Sequence, residues 1–295
     1  MAKSLDVAFD LLLRDIRSTP TETSAAASHR ASISAKLFSE FGSARFFRTG
    51  SFGNGTNVSG HSDVDYFYVV PDSRLKADSA AMLVDIRASL QERFSTTQNI
   101  RVNGPAVQLP FGIDGAEHTE IVPVRYVGKT LLGFDEFRMP DSRGGWMFTA
   151  PESHKAYVTD LDTKLDKKLK SLIRLAKAWA YYNDVPLRSF FLEMFIANYA
   201  SSETWVSYQI DLERIFRSLI SSELSPLRDP RFVNDGVYIQ ACNTEAQRAQ
   251  AIQSLQSDLV RIEAAREHNK SGRIAAAFDR WDLIFNRSFP NYSVN

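Results

Sequence analysis

Apolar residues near the start of the chain recur every three to four positions. Leu5, Phe9, Leu12, Leu13 and Ile16 fall on roughly one face, which predicts a helix over residues 4–18. Pro20 closes that pattern, and Thr21 or Thr23 is placed to cap a second helix through AAASHRASISAKLFSEF. RFFRTGS then turns strand-like, and the glycine-rich GSFGNGTNVSGHS follows. DVDYFYVV packs β-branched and aromatic residues into eight positions and is the clearest strand of the sequence; Pro71 and Asp72 end it. Residues 75–94 predict a helix with Leu75, Ala80, Leu83, Ile86, Leu90 and Phe94 inside. NIRVNGPAVQLPFG and HTEIVPVRYVG predict two further strands. Residues 128–150 mix Gly, Pro, Asp and Ser without a clear period and predict an irregular loop region.

From about Glu152 the character changes. LDKKLKSLIRLAKAWAYYN, FFLEMFIANYA, YQIDLERIFRSLISSEL and EAQRAQAIQSLQSDLVRIEAAREHNK all carry helical patterns. A mixed lobe over residues 1–155, N-terminal helices included, and a helical lobe over residues 156–295 are therefore expected. No internal repeat or low-complexity tract interrupts either.

Composition narrows the function classes. The chain has 295 residues, with 35 Lys+Arg against 35 Asp+Glu. A net charge near zero argues against a protein held to nucleic acid by bulk charge, which needs a clustered excess of cations. Cys242 is the single cysteine, so no disulfide forms within the chain and a cysteine-rich zinc site is excluded; a reducing cytoplasm is the expected compartment. His29, His61, His118, His154 and His268 lack metal-ligand spacing. Acids and an arginine interrupt the apolar residues of the N-terminus, which reads as an amphipathic helix rather than a signal peptide. No run approaches the roughly 20 apolar residues of a membrane span.

The chemistry concentrates in the middle of the first lobe. Gly50 and Ser51 end a strand and open the glycine-rich stretch. Asp63 and Asp65 follow on the next strand, where side chains two apart share a face. Two carboxylates side by side repel unless a cation lies between them. Mg²⁺ fits, as a hard ion bound by a few carboxylates plus substrate phosphates. Nucleotidyl transfer uses such ions to neutralise the triphosphate and the leaving pyrophosphate, and a second ion needs a further acid. Glu120, on a neighbouring strand, is assigned as that third ligand, or as acceptor of the attacking hydroxyl's proton; the competing reading is an edge-strand glutamate facing water. Gly50, Gly53 and Gly55 would let backbone amides approach phosphate oxygens, with Ser51 and Thr56 offering hydroxyl donors.

The run G-S-F-G-N-G-T, then S-D-V-D-Y-F, then E-I-V-P resembles the signature of the DNA polymerase β-type nucleotidyltransferase superfamily. The third acid there is more often Asp, and Glu120 departs from it. SLIRLAKAWAYYN with PLRSFFLEMF, and AAFDRWDLIFNRSFP near the end, are similar to the helical lobe of the cyclic GMP–AMP synthase-like enzymes, the CD-NTases of bacterial antiphage signalling. The resemblance covers roughly residues 40–290 and implies a bilobal α+β fold: a mixed sheet with flanking helices plus a helical lobe.

The resemblance further implies that Lys177 and Ser189 grip a triphosphate and that Phe190 stacks on a base. Lys170, Arg174 and Lys177 share one face of their helix, which also reads as a plain solvated face, and Phe190 also reads as core. Glu193 fits a buried acid paired to a nearby cation. Asn183, Asn198 and Tyr181 are candidate base contacts. The animal enzymes' zinc ribbon is excluded by the cysteine count, and no nucleic-acid activator or membrane is expected.

The implied reaction condenses two or more NTPs, ATP with UTP or GTP as further substrates, into a cyclic di- or trinucleotide with release of pyrophosphate. Two Mg²⁺ ions, replaceable by Mn²⁺, would serve as cofactors. The implied protein is a monomer whose product a downstream effector senses. Rival readings are a linear oligonucleotide synthetase, a nucleotidyltransferase acting on RNA or another acceptor, and a degenerate nucleotide-binding scaffold.

Overall fold

The computed structural model describes residues 2–42, 45–112, 117–141, 143–231 and 237–293. The chain divides into two compact units, Ser18–Ala156 on one side and Met1–Arg17 with Tyr157–Asn295 on the other.

The Ser18–Ala156 unit is built on a mixed sheet of strands β1 (Phe46–Arg48), β2 (Val64–Val69), β3 (Arg101–Asn103), β4 (Ala106–Phe111), β5 (Glu117–Lys129), β6 (Asp135–Pro140) and β7 (Trp146–Thr149). The order runs β1-β2-β5-β4-β3, and β6 and β7 extend from the far end of the long β5. Only β2 and β5 pair in parallel; the other ladders are antiparallel. Helices α2 (Pro20–Phe41) and α4 (Ser79–Arg93) flank the sheet, and a short helix, α3 (Gly50–Asn54), joins β1 towards β2.

Alternation along β2 decides which face is covered. Val64, Tyr66, Tyr68 and Val70 join Ile33, Leu37, Met82, Ile86 and Ile121 in one core. The hydroxyls of Tyr66 and Tyr68 donate to the carbonyls of Ala26 (3.3 Å) and Gly42 (2.6 Å), so each buried phenol keeps a partner. The intervening positions, Asp65, Phe67 and Val69, face the other way. Phe67, Val122, Val124 and Phe137 form a smaller cluster on that second face.

The second unit is helical: α1 (Leu5–Asp15), α6 (Leu169–Tyr182), α7 (Ser189–Ala200), α8 (Tyr208–Ser221), α9 (Glu245–Lys270) and α10 (Ile274–Ile284), with a two-stranded ribbon β8 (Leu227–Arg228) and β9 (Tyr238–Ile239). Helix α5 (Pro151–Lys164) carries the chain across the division. Trp179 packs on Phe216 with ring centroids 4.5 Å apart, and its indole N–H donates to the buried Asp258 at 2.7 Å.

Three expectations change. The N-terminal helix, assigned to the first lobe, belongs with the helical unit. Phe9 sets its ring edge on Trp281 (4.9 Å) and Phe289 (5.1 Å), and Leu5, Leu12 and Leu13 are buried beside it. Burial of each such side chain is worth about 1.5–3 kcal/mol. Residues 128–150 hold strands β6 and β7 rather than an irregular loop: Phe137 and Met139 alternate inward, but four-residue and six-residue strands separated by glycine turns leave too short a period to read. Pro20 opens α2, since a proline suits the first turn of a helix. Among the described residues, no helix is long and apolar enough to cross a membrane.

Candidate active site

Asp65 lies on β2, and Asp63 stands one residue before it. In the parallel ladder between β2 and β5, Asp65 is the register partner of Glu120, and Glu120 in turn faces Gln108 of β4, which faces Arg101 of β3. One lateral row across four strands thus reads Asp65, Glu120, Gln108, Arg101. It lies on the face opposite the Tyr66–Tyr68 core. The position before Thr119 on β5 is His118, and its Nδ1 lies 3.8 Å from Oδ1 of Asp63.

Burial and charge act together here. Burial pushes the Asp63 carboxyl up from its ordinary value, and His118 opposes that. Glu120 is pushed up to about 7, first by burial and then by the negative charge of Asp63; the Asn103 amide and the charge of Arg101 pull against both. Glu120 Oε1 accepts from Asn103 Nδ2 at 3.2 Å and from Gln108 Nε2 at 3.4 Å. The row is therefore short of positive charge, and its donors are carboxylates, the chemistry a hard divalent cation takes. Among the described residues, however, no group of three His, Cys, Asp or Glu side chains converges closely enough to hold a metal ion. The fit is one of donor type, shared face and charge, not of a closed coordination shell.

The Gly-Ser pair is held against these acids. The Thr49 amide donates to the Asp65 carbonyl at 2.9 Å, and the next residue opens α3. Gly50 has φ +62, and a Cβ there would lie 1.8 Å from Asp65 Oδ2. Gly55 closes the helix at φ 72, a left-handed cap that other residues adopt only with strain. The stretch expected as an open glycine-rich loop is therefore a single capped helical turn carrying Ser51, while Gly53 has ordinary helical backbone.

The residues of the helical unit divide. Ser189 begins α7, and Phe190, next to it, is 43% exposed, so it is not a core residue. Lys177 is 1% exposed, with its ammonium 2.5 Å from the equally buried Glu193 carboxylate. Arg174 is buried too, and burial holds its guanidinium below the usual arginine range. The Lys170 ammonium donates to Thr159 Oγ1 at 3.1 Å. Of the three basic residues on this helix face, Arg174 and Lys177 are buried and Lys170 is half-buried, and the buried Glu193 carboxylate offsets the desolvation of Lys177. Glu193 is the buried, cation-paired acid the sequence suggested. Asn183 caps α6, with its side-chain amide on the carbonyls of Trp179 and Ile284, each at 2.9 Å.

Arg101, Asn103, Gln108 and His118 were not among the sequence candidates. Gln108 left a signal, as the one polar side chain inside the apolar AVQLPF; the others left none.

This arrangement, an acid pair at the start of β2 beside a Gly-Ser turn on a mixed sheet, with a separate helical unit, has the α+β fold of the polymerase β-like nucleotidyltransferases. Solved structures share the fold. CdnC of E. coli MS115-1, determined with ATP, is similar with a TM-score of 0.72 at 19% identity, over 96% of this chain and 98% of that one. The Vibrio cholerae DncV cyclic AMP-GMP synthase, determined with a linear intermediate, is similar with a TM-score of 0.66 at 14% identity, over 84% of this chain and 70% of that one. At such identities the likeness establishes the fold. The model of the Second Messenger Oligonucleotide or Dinucleotide Synthetase (SMODS) domain matches residues 4–162, and the chain belongs to that family. A probable cyclic nucleotide synthase of Bacillus cereus (strain VD146) is 22% identical over 174 residues, which cover 59% of this chain and only 52% of that relative. The chain thus spans about half the length of the curated relative it matches.

Proposed function

We propose that the protein is a Mg²⁺-dependent nucleotidyltransferase that condenses two or more NTPs into a cyclic di- or trinucleotide and releases pyrophosphate, in antiphage signalling. The observation that carries this reading is the register pairing of Asp65 with Glu120, with Asp63 electrostatically coupled to the same point. Family membership and the nucleotide-bound relatives agree with it.

In this reading Asp63, Asp65 and Glu120 would hold two divalent cations, which supply charge neutralisation for the triphosphate and for the attacking hydroxyl. Asn103 and Gln108 fix the Glu120 carboxylate, leaving its other oxygen available. Gly50 and Ser51 bring backbone amide and hydroxyl next to Asp65, where phosphate oxygens would arrive. Lys177 acts from inside its pair with Glu193, fixing α6 to α7. For Ser189 and Phe190, at the start of α7, the family resemblance implies contacts to a triphosphate and to a base respectively. A ribose hydroxyl attacks the α-phosphorus of a second NTP; the bond to pyrophosphate breaks, and the hydroxyl proton leaves to Glu120 or to water. A second such step closes the ring. Positioning and charge neutralisation carry the rate enhancement.

The test is incubation of the protein with radiolabelled ATP, GTP, CTP and UTP and Mg²⁺ or Mn²⁺, followed by phosphatase and mass analysis. A phosphatase-resistant product from ATP, alone or with UTP or GTP, supports the reading. A phosphatase-sensitive linear product would place the protein with linear oligonucleotide synthetases instead.

A further inference from the structure

The opposite face of the same sheet carries two adjacent arginines that the carboxylate face does not use. Arg125 of β5 and Arg138 of β6 are direct register partners in an antiparallel ladder. Like charges placed directly opposite in a sheet are destabilising unless anions neutralise them, and the Asp72 carboxylate reaches only Arg125. Arg138 in turn faces Phe148 of β7, giving a row Arg125–Arg138–Phe148 across three strands. Alternation along β5 puts Arg125 on the face of Ile121, away from Glu120.

The local acids do not meet this demand. Asp72 takes only the Nε of Arg125, at 2.9 Å, and leaves its terminal nitrogens without a partner among the described residues. Arg138 has no hydrogen-bonding or ion-pair partner among them, although Glu136 lines the same hollow. Its guanidinium lies on the Phe148 ring, 4.5 Å from the centroid. A register shift between Tyr126 and Gly128 distorts β5 immediately beyond Arg125, the kind of irregularity that re-aims side chains.

These residues line two hollows that share Asp72, Arg125 and Arg138. One, of about 330 Å³, is walled by Lys76 and Trp146. The other, of about 570 Å³, is walled by Phe148 and Glu136. Both are of the size of small-molecule sites, which run from about 300 to 1,000 Å³. Planar guanidinium forks match phosphate oxygens in pairs. Trp146 and Phe148, two apart on β7, share this face and put one flat ring in each hollow; the Trp146 indole is fixed by its bond to the Ala77 carbonyl at 3.0 Å.

We propose that this hollow is a second nucleotide site, independent of the carboxylate face, taking a phosphate ester on Arg125 and Arg138 and a planar base against Trp146 or Phe148. It needs no metal, because the arginines supply the charge.

The test is calorimetric titration of the full chain with AMP in EDTA, where the carboxylate face repels the phosphate. Saturable binding is expected, weakened about tenfold or more in Arg138→Gln, undetectable in Arg125→Gln/Arg138→Gln, and unchanged in Asp63→Asn/Asp65→Asn. Arg138→Lys, which keeps the charge and loses the fork, should also weaken AMP without moving the thermal midpoint, which separates ligand loss from misfolding. Basal NTP condensation should be unchanged in Arg138→Gln. The proposal is overturned if no AMP binds in EDTA, or if binding survives Arg125→Gln/Arg138→Gln. It is equally overturned if inorganic phosphate binds as tightly as AMP, or if an Asp/Glu-rich peptide binds where AMP does not.

Discussion

A methyl group at position 50 would stand 1.8 Å from Oδ2 of Asp65, so the glycine exists where the carboxylate does. The positive φ of Gly50 adds a backbone reason to the steric one. Gly50→Ala should lower the denaturation midpoint by the equivalent of about 1–2 kcal/mol, the cost of left-handed backbone for a residue with a Cβ. Because Asp65 must also move, product formation should fall far more than stability does; thermal melts and NTP turnover measured on one preparation check both.

Asp63→Asn/Asp65→Asn should abolish nucleotide condensation and leave the fold intact. Burial already pushes the Asp63 carboxyl up from its ordinary value, so removing that charge should hold or raise the thermal midpoint. Pyrophosphate still released from NTPs by the double variant would remove these aspartates from the chemistry.

The Glu120 carboxyl titrates near 7 instead of at its ordinary 4.5, through burial and then the charge of Asp63. Its folded value lies above its unfolded one. The associated stability is therefore full below about 4.5 and is lost as pH rises to about 7. In EDTA the thermal midpoint should decline over that window, and Glu120→Gln should flatten the decline. If Glu120 is a divalent-ion ligand as proposed, ion affinity should run the opposite way, rising with pH as the proton leaves the carboxyl. Mn²⁺ titration followed by electron paramagnetic resonance between pH 5.5 and 8, values chosen to bracket about 7, measures this; an affinity flat across that range would remove Glu120 from the ion site.

Lys177 and Glu193 are both buried and paired. Removing one partner takes the buried pair apart, so Lys177→Met or Glu193→Gln alone should cost about 3–5 kcal/mol, while Lys177→Met/Glu193→Leu should recover most of it. Urea denaturation of the three variants and the parent forms the cycle that separates coupling from packing.

Phe190→Ala should leave the urea midpoint within about 0.5 kcal/mol, as for other exposed side chains, because Phe190 is 43% exposed. If Phe190 receives a base, KM for NTP should rise. An unchanged KM would assign the ring another role.

The acid pair and its strand were legible because they obey a period of two inside an apolar run, a pattern that depends on six neighbouring residues alone. The helices of the second half were legible for the same kind of reason. Strands β6 and β7 were not: each shows at most two inward residues, too few to set a period, even though both pair with their neighbours in sequence. That Lys170, Arg174 and Lys177 share a face of α6 was legible from their spacing; that Lys177 is buried was not, because the acid paired with it comes from another helix.

Sequence by itself determined the chemistry: which carboxylates exist, that Asp63 and Asp65 share a face, and that a Gly-Ser turn precedes them. Tertiary structure alone decided that Glu120 stands in register with Asp65, that Asn103 and Gln108 hold it, that Gly50 makes room for Asp65, and that the first helix joins the last ones. The physical reason is separation along the chain. Periodicity is a local property, whereas register, burial and the partner of a charge are set by strands and helices tens of residues apart, and only folding brings those together.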